Sequence, residues 1–93
     1  MTVGILRLSL FIPRSNSLKH KRSVLKAVKN SLIVKFNVCV AEIDYQEKWQ
    51  RSVLAVGFIN NNRKVIDSIF SQVIKFMEKT TYCDLVDYSQ EMV

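Results

Sequence analysis

TVGILRLSLFI, residues 2–12, decides how the rest of the chain is read. Gly4, Leu6, Leu8, Leu10 and Ile12 fall on one side of a two-residue repeat, and Val3, Ile5, Arg7, Ser9 and Phe11 on the other. A two-residue period predicts a β-strand, here with one wholly apolar face and a second that is nearly as apolar. Pro13 ends it, because proline has no backbone N–H and restricts the residue before it. Immediately beyond, Asn16 or Ser17 supplies a short side-chain oxygen able to cap a helix. Leu18, Leu25, Val28 and Leu32, with Val24, then recur at helical spacing as far as about Lys35. Lys19, Arg22, Lys26 and Lys29 fall at i, i+3, i+7 and i+10 on a neighbouring face, so the helix is amphipathic with a cationic polar side.

Farther out, VCVAEIDY (38–45) and QRSVLAVGFI (50–59) read as two more strands. No Asn-Gly or Asp-Gly lies between them, which predicts a longer or bulged hairpin. Asn60, Asn61 and Asn62 form a cap cluster before a second helix, whose apolar face runs through Ile66, Ile69, Phe70, Val73 and Met77 to Lys79. Residues 84–92 alternate weakly as a fourth strand. The order βαββαβ is that of an α+β, ferredoxin-like split-βαβ sandwich: a four-stranded antiparallel sheet with two helices on one face, as a single domain over residues 1–93. Strands one and three are expected at its centre, with Leu6, Leu8, Leu10, Leu54, Val56 and Phe58 toward the helices. The other face would carry Val3, Ile5, Arg7, Ser9, Val53, Ala55, Gly57 and Ile59. A surface that apolar marks an association site, and a homodimer packed through the open sheet is the expectation.

Ninety-three residues with 48% apolar side chains suffice for one modest core. No apolar run approaches the roughly 20 residues of a membrane span, and no charged-then-apolar leader precedes a small-residue cleavage site. Two widely spaced cysteines, Cys39 and Cys83, signal neither a zinc site nor a disulfide framework, which fits a reducing cytoplasm; buried thiols are the expectation for both. Fourteen bases against eight acids give a net charge of +6. Residues 1–41 contain eight bases and no acid, whereas residues 42–93 contain six bases and eight acids. That asymmetry points to a polyanion-facing side.

The first candidate site is the junction between strand and helix: Arg14, Ser15, Ser17, Lys19, Lys21 and Arg22, extended along the helix by Lys26 and Lys29. Helix N-termini carry unpaired amides and partial positive charge, so they attract anions, and cations there are disfavoured by about 0.3–1 kcal/mol each. A docked phosphate removes that conflict, with the serines as hydroxyl donors and Arg14 as a bidentate fork. The competing reading is that these are ordinary solvated lysines. Lys21 falls at an angle inside the apolar stripe and must snorkel or pair. Along the helix the stripe could track an RNA backbone. Strand three, VLAVGFI, lacks the aromatic signature of an RNA-recognition motif, so such contact would be electrostatic and led by the helix.

A second cluster holds Glu42, Asp44 and Glu47 with Lys48, Trp49 and Arg51. Equal parity would place the Glu42 and Asp44 carboxylates on one side of a strand about 7 Å apart, a spacing that suits a divalent ion or an acid/base pair. The stronger reading is an edge strand blunted by an inward charge, with Arg7 or Arg51 as partner. Trp49 is expected to pin the hairpin or anchor an interface. His20 is the sole histidine, so neither a metal trio nor a Ser-His-Asp relay can be assembled from one chain. Arg14 and Asn16 echo an acylphosphatase-type phosphate loop only loosely, without its glycines. No catalytic residue, metal site or cofactor is expected.

SLKHKR (17–22), FNVCVAEIDYQEKWQR (36–51) and the terminal DYSQE (87–91) make the chain resemble, essentially end to end, the YlxP-like family of small bacterial proteins. The family usually has an acidic residue where this chain has His20. The resemblance implies a ferredoxin-like fold, a cytoplasmic setting, and a place near translation and ribosome-maturation factors. It implies no activity and no catalytic residues.

Overall fold

A computed structural model describes residues 1–93. Its elements are β1 (Thr2–Phe11), α1 (Leu18–Phe36), β2 (Cys39–Asp44), β3 (Arg51–Asn60), α2 (Arg63–Lys79) and β4 (Asp84–Met92). The strands form one antiparallel sheet in the order β2-β3-β1-β4, which makes β1 and β3 central, as the element order predicts. This is the ferredoxin-like βαββαβ arrangement.

The register explains the two faces. Leu6 lies opposite Val56 and Leu8 opposite Leu54, and all four are fully buried beneath the helices. From α1 the core receives Leu25, Val28, Leu32 and Phe36, and from α2 Ile66, Phe70, Val73 and Met77. Each buried apolar side chain of this size contributes about 1.5–3 kcal/mol through removal from water. Phe36 meets Phe76 edge-to-face, with centroids 6.0 Å apart, and so joins the C-terminal halves of the helices. Leu18 and Val24 are only half-buried; Lys21 takes the buried place in that first part of the α1 stripe.

Loops and caps follow from local chemistry. Ser15 N–H donates to the Ile12 carbonyl, closing a turn with Pro13 at its second position, where the fixed φ of proline is favoured. Ser17 is the N-cap of α1 and its hydroxyl oxygen accepts from the His20 amide. Asn37 ends α1 in the left-handed region at φ 54°, a conformation that asparagine tolerates better than most residues. At α2, Asn62 caps the N-terminus by accepting from the Lys64 amide.

The open face of the sheet carries no helix. Val3, Ile5, Arg7, Ser9, Val53 and Ala55 are all half-exposed there, and Ile59 is 60% exposed. Arg7 pairs with Glu91 of the neighbouring β4 strand at 2.6 Å.

Candidate functional site

The basic junction is tied to a second loop by three hydrogen bonds. Gln50 Nε2 donates to the Pro13 and Ser15 carbonyls at 3.3 and 3.2 Å, and the Ile12 amide donates to the Gln50 carbonyl at 2.9 Å. The β1–α1 and β2–β3 loops therefore occupy the same end of the molecule. Arg14, Lys19 and Arg22 are exposed. Arg14 and His20 line a groove of about 430 Å³ that is closed on its far side by Thr81, Tyr82 and Asp84 from the α2–β4 connection. Ser17 keeps its hydroxyl hydrogen free while its oxygen caps the helix. No acidic residue lies in the first turn of α1.

Two of the expected anion ligands are placed elsewhere. Ser15 is 2% exposed and its hydroxyl donates to the Ser17 carbonyl, so it has no proton left for an anion. Lys21 is 1% exposed, and its ammonium bonds Glu42 Oε2 at 2.9 Å and the Tyr45 carbonyl. Ser52 Oγ donates to the same Glu42 oxygen at 2.7 Å, and no buried side-chain polar atom is left without a partner. Of the two outcomes its angle in the stripe allows, snorkelling or pairing, Lys21 pairs, and it ties α1 to β2 and to the start of the β2–β3 loop.

The acidic cluster is dismantled by a bulge. Glu42 lies opposite Leu54 but Asp44 lies opposite Val53, so Ile43 is the extra residue and the equal parity of the two acids is broken. Glu42 turns to the helix side and Asp44 to the open side, where Asp44 Oδ1 accepts from the Tyr45 amide. Neither Arg7 nor Arg51 partners these carboxylates: Arg7 binds Glu91, and the Arg51 guanidinium lies 5.0 Å over the Tyr45 ring. No group of three or more His, Cys, Asp or Glu side chains is placed to hold a metal ion. Trp49 does not pin the hairpin; it is 53% exposed, and Gln50 does the tying. Cys39 is exposed, against expectation, because it lies on edge strand β2. Cys83 is buried, and burial, helped by the nearby Asp84 charge, pushes its thiol up from 9.0 to about 11. That setting is the opposite of what a reactive thiolate needs.

Three-dimensional structure redistributes the charge. Ten of the fourteen bases lie in α1 and α2, against only Asp67 and Glu78, whereas the four strands hold two bases and five acids. Lys19, Arg22 and Lys26 are exposed on α1 and Lys29 is half-exposed. Sequence order hides the contribution of α2, because Lys75 and Lys79 sit in the half of the chain whose acids outnumber its bases. Both line a groove of about 260 Å³ with Lys35, whose ammonium is 5.6 Å above the Phe76 ring. The signal was the i, i+4 spacing of Lys75 and Lys79 on an amphipathic helix.

A sandwich of this order, with a cationic helix layer and a bare, largely apolar sheet face, belongs to the class of small α+β ferredoxin-like domains. A family described as "Protein of unknown function (DUF503)" matches residues 3–90, and the chain belongs to it. It is 32% identical over 76 residues to "Uncharacterized protein YlxP" of Bacillus subtilis (strain 168), a match that covers 82% of this chain and 83% of that protein. No helix is long and apolar enough to cross a membrane.

Proposed function

We propose that this protein is a small binding module, not an enzyme, that docks RNA in the bacterial cytoplasm through its helix layer and the β1–α1 loop, with ribosomal RNA as the favoured ligand. The observation that carries the reading is the separation of charge: apart from Lys21, buried against Glu42, the helices hold nine bases and two acids, whereas the strands hold two bases and five acids. Arg14, Lys19, Arg22, Lys26 and Lys29 are its contact residues on the first half of the chain. From Lys19 to Lys29 the helix rises about 15 Å, long enough to follow several phosphates. The ribosomal setting is supported by the family resemblance.

Fluorescence anisotropy with an rRNA fragment at several salt concentrations tests this. Affinity should fall with salt. Replacing Lys19, Arg22 and Lys26 together by Ala should weaken binding tenfold or more and flatten the salt slope by about 2, at roughly 0.7 per phosphate of a single strand. Absence of binding at low salt, or unchanged binding by the triple variant, rejects it.

A second reading, compatible with the first, is a homodimer through the open sheet, favoured by the strip Val3, Ile5, Val53 and Ala55 flanked by Arg7. Sedimentation equilibrium should give a dimer for the wild type and a monomer for Ala55→Glu. A monomeric wild type at tens of micromolar rejects this reading.

A further inference from the structure

The β2–β3 loop, Tyr45 to Gln50, is hydrogen-bonded at both of its ends. Tyr45 adopts φ 60°, a conformation that costs a non-glycine residue about 1 kcal/mol or more. Its amide is held by Asp44 Oδ1 at 2.8 Å, and its carbonyl accepts from both the Lys48 amide and the buried Lys21 ammonium. At the other end Gln50 is bonded through both side chain and backbone to the β1–α1 loop. Yet this fixed backbone presents its largest side chains to solvent: Trp49 is 53% exposed and Tyr45 36%. Tryptophan buries more apolar area than any other residue when a core will take it, so here the anchoring work is done by Lys21 and Gln50 and the indole is left outside.

Cations neighbour it along the chain and across the tied loops. The Arg51 guanidinium lies 5.0 Å from the Tyr45 ring centroid, Lys48 directly precedes Trp49, and Arg14 stands on the loop to which Gln50 is tied, beside the groove shared with His20 and Tyr82. Glu47 is the one acid of the loop itself, and Asp44, just before it, accepts from the Tyr45 amide through Oδ1. A preorganised, exposed aromatic next to guanidinium and ammonium groups matches the chemistry of an unpaired nucleotide, which offers a π-face to the ring and a phosphate to the cations. A duplex interior offers no unstacked base to the ring.

We infer that this loop end is a stacking platform for single-stranded RNA: a base lies on Trp49, and the adjoining phosphates are met by Arg14, Lys48 and Arg51. The inference rests on the RNA reading above and adds the strandedness of the ligand and the residue that senses it. Binding at this end is then partly independent of salt, because stacking releases no counterions, whereas contacts along α1 remain salt-dependent.

The chain has one tryptophan, so its emission reports on this site alone. Decauridylate and a blunt RNA duplex of equal length, each fluorescein-labelled for a parallel anisotropy reading, are the probes. Decauridylate should quench Trp49 saturably, with the midpoint of the anisotropy curve, and the duplex should leave the emission unchanged. Trp49→Ala should weaken decauridylate binding about tenfold without altering its salt slope, and Trp49→Phe should restore most of it. Binding of decauridylate by anisotropy with Trp49 emission unchanged, or an unaltered affinity in Trp49→Ala, overturns the platform and leaves the RNA reading standing. If neither probe binds at low salt, both are overturned. Emission that shifts with protein concentration and ignores RNA overturns the platform and assigns Trp49 to an interface between copies of this chain.

Discussion

The sheet carries one ion pair on each face, and the shorter of the two matters less. Arg7 and Glu91 meet at 2.6 Å on the open side with side chains 41% and 48% exposed, while Lys21 and Glu42 meet at 2.9 Å on the helix side at 1% and 19%. An exposed pair gives back to side-chain entropy and screening most of what it gains, and is worth about 0–1 kcal/mol. A buried pair is not a large net gain over apolar side chains, but losing one partner strands the other without water. Environment, not distance, decides the weight of the contact. The same contrast runs through the two faces of β1: Leu6 and Leu8 have no exposure at all, whereas Ile5 and Arg7 are half-exposed. The helix side is a closed core that specifies the fold, and the open side is a surface that tolerates change.

The largest expected effect tests that contrast within a single strand. Leu8→Ala should cost about 3–4 kcal/mol, from lost burial and the cavity left behind. Ile5→Ala, three residues earlier on the open face, should cost about 1 kcal/mol in the monomer, as read by urea unfolding at low protein concentration. Comparable losses at the two positions would show that the open face is covered under those conditions. The ion pairs come next. Lys21→Ala should cost about 3 kcal/mol, discounted for the partial exposure of Glu42, and Arg7→Ala less than 1 kcal/mol. The double change Lys21→Met with Glu42→Leu should recover much of the loss, since it strands no charge. A pH-dependent effect distinguishes the two thiols. Cys83 holds its proton to about 11 in the folded protein, whereas the unfolded thiol ionises near 9.0. Its contribution to stability is therefore complete below pH 9 and is lost as pH rises toward 11. The loss should be about 1 kcal/mol after allowance for screening, and absent from the pH profile of Cys83→Ala. Exposed Cys39 should react with a thiol reagent in the native state, and Cys83 only on unfolding.

Much of this was legible in the amino-acid order. The alternation of residues 2–12 and of 50–59 and the helical spacing of Leu25, Val28 and Leu32 are local patterns, and local patterns survive folding because side-chain direction follows backbone period. Even the anomaly at Lys21 was visible as a charge at a core angle, though not its partner, since 21 residues of chain separate it from Glu42. The site was less legible. Strict parity put Glu42 and Asp44 together, but one bulged residue, Ile43, reverses the face of everything after it. Ser15 and Lys21 looked like anion donors by composition, and packing committed both to internal bonds. Trp49 was expected to pin the hairpin or anchor an interface; the hairpin is tied by Gln50 instead, and nothing in its neighbours' identities shows that Gln50 reaches Pro13 and Ser15.

The +6 charge marks the same division. Sequence alone determined that this chain is basic, that its first 41 residues lack acids, and that its elements run βαββαβ, because each of these depends on composition or on short-range period. Only the tertiary structure decided that the charge belongs to a layer. Folding places the bases of α2 in the same layer as those of α1 and gathers five acids into the sheet, since both helices must lie on one face of the sheet to close its core. The same constraint left the other face bare.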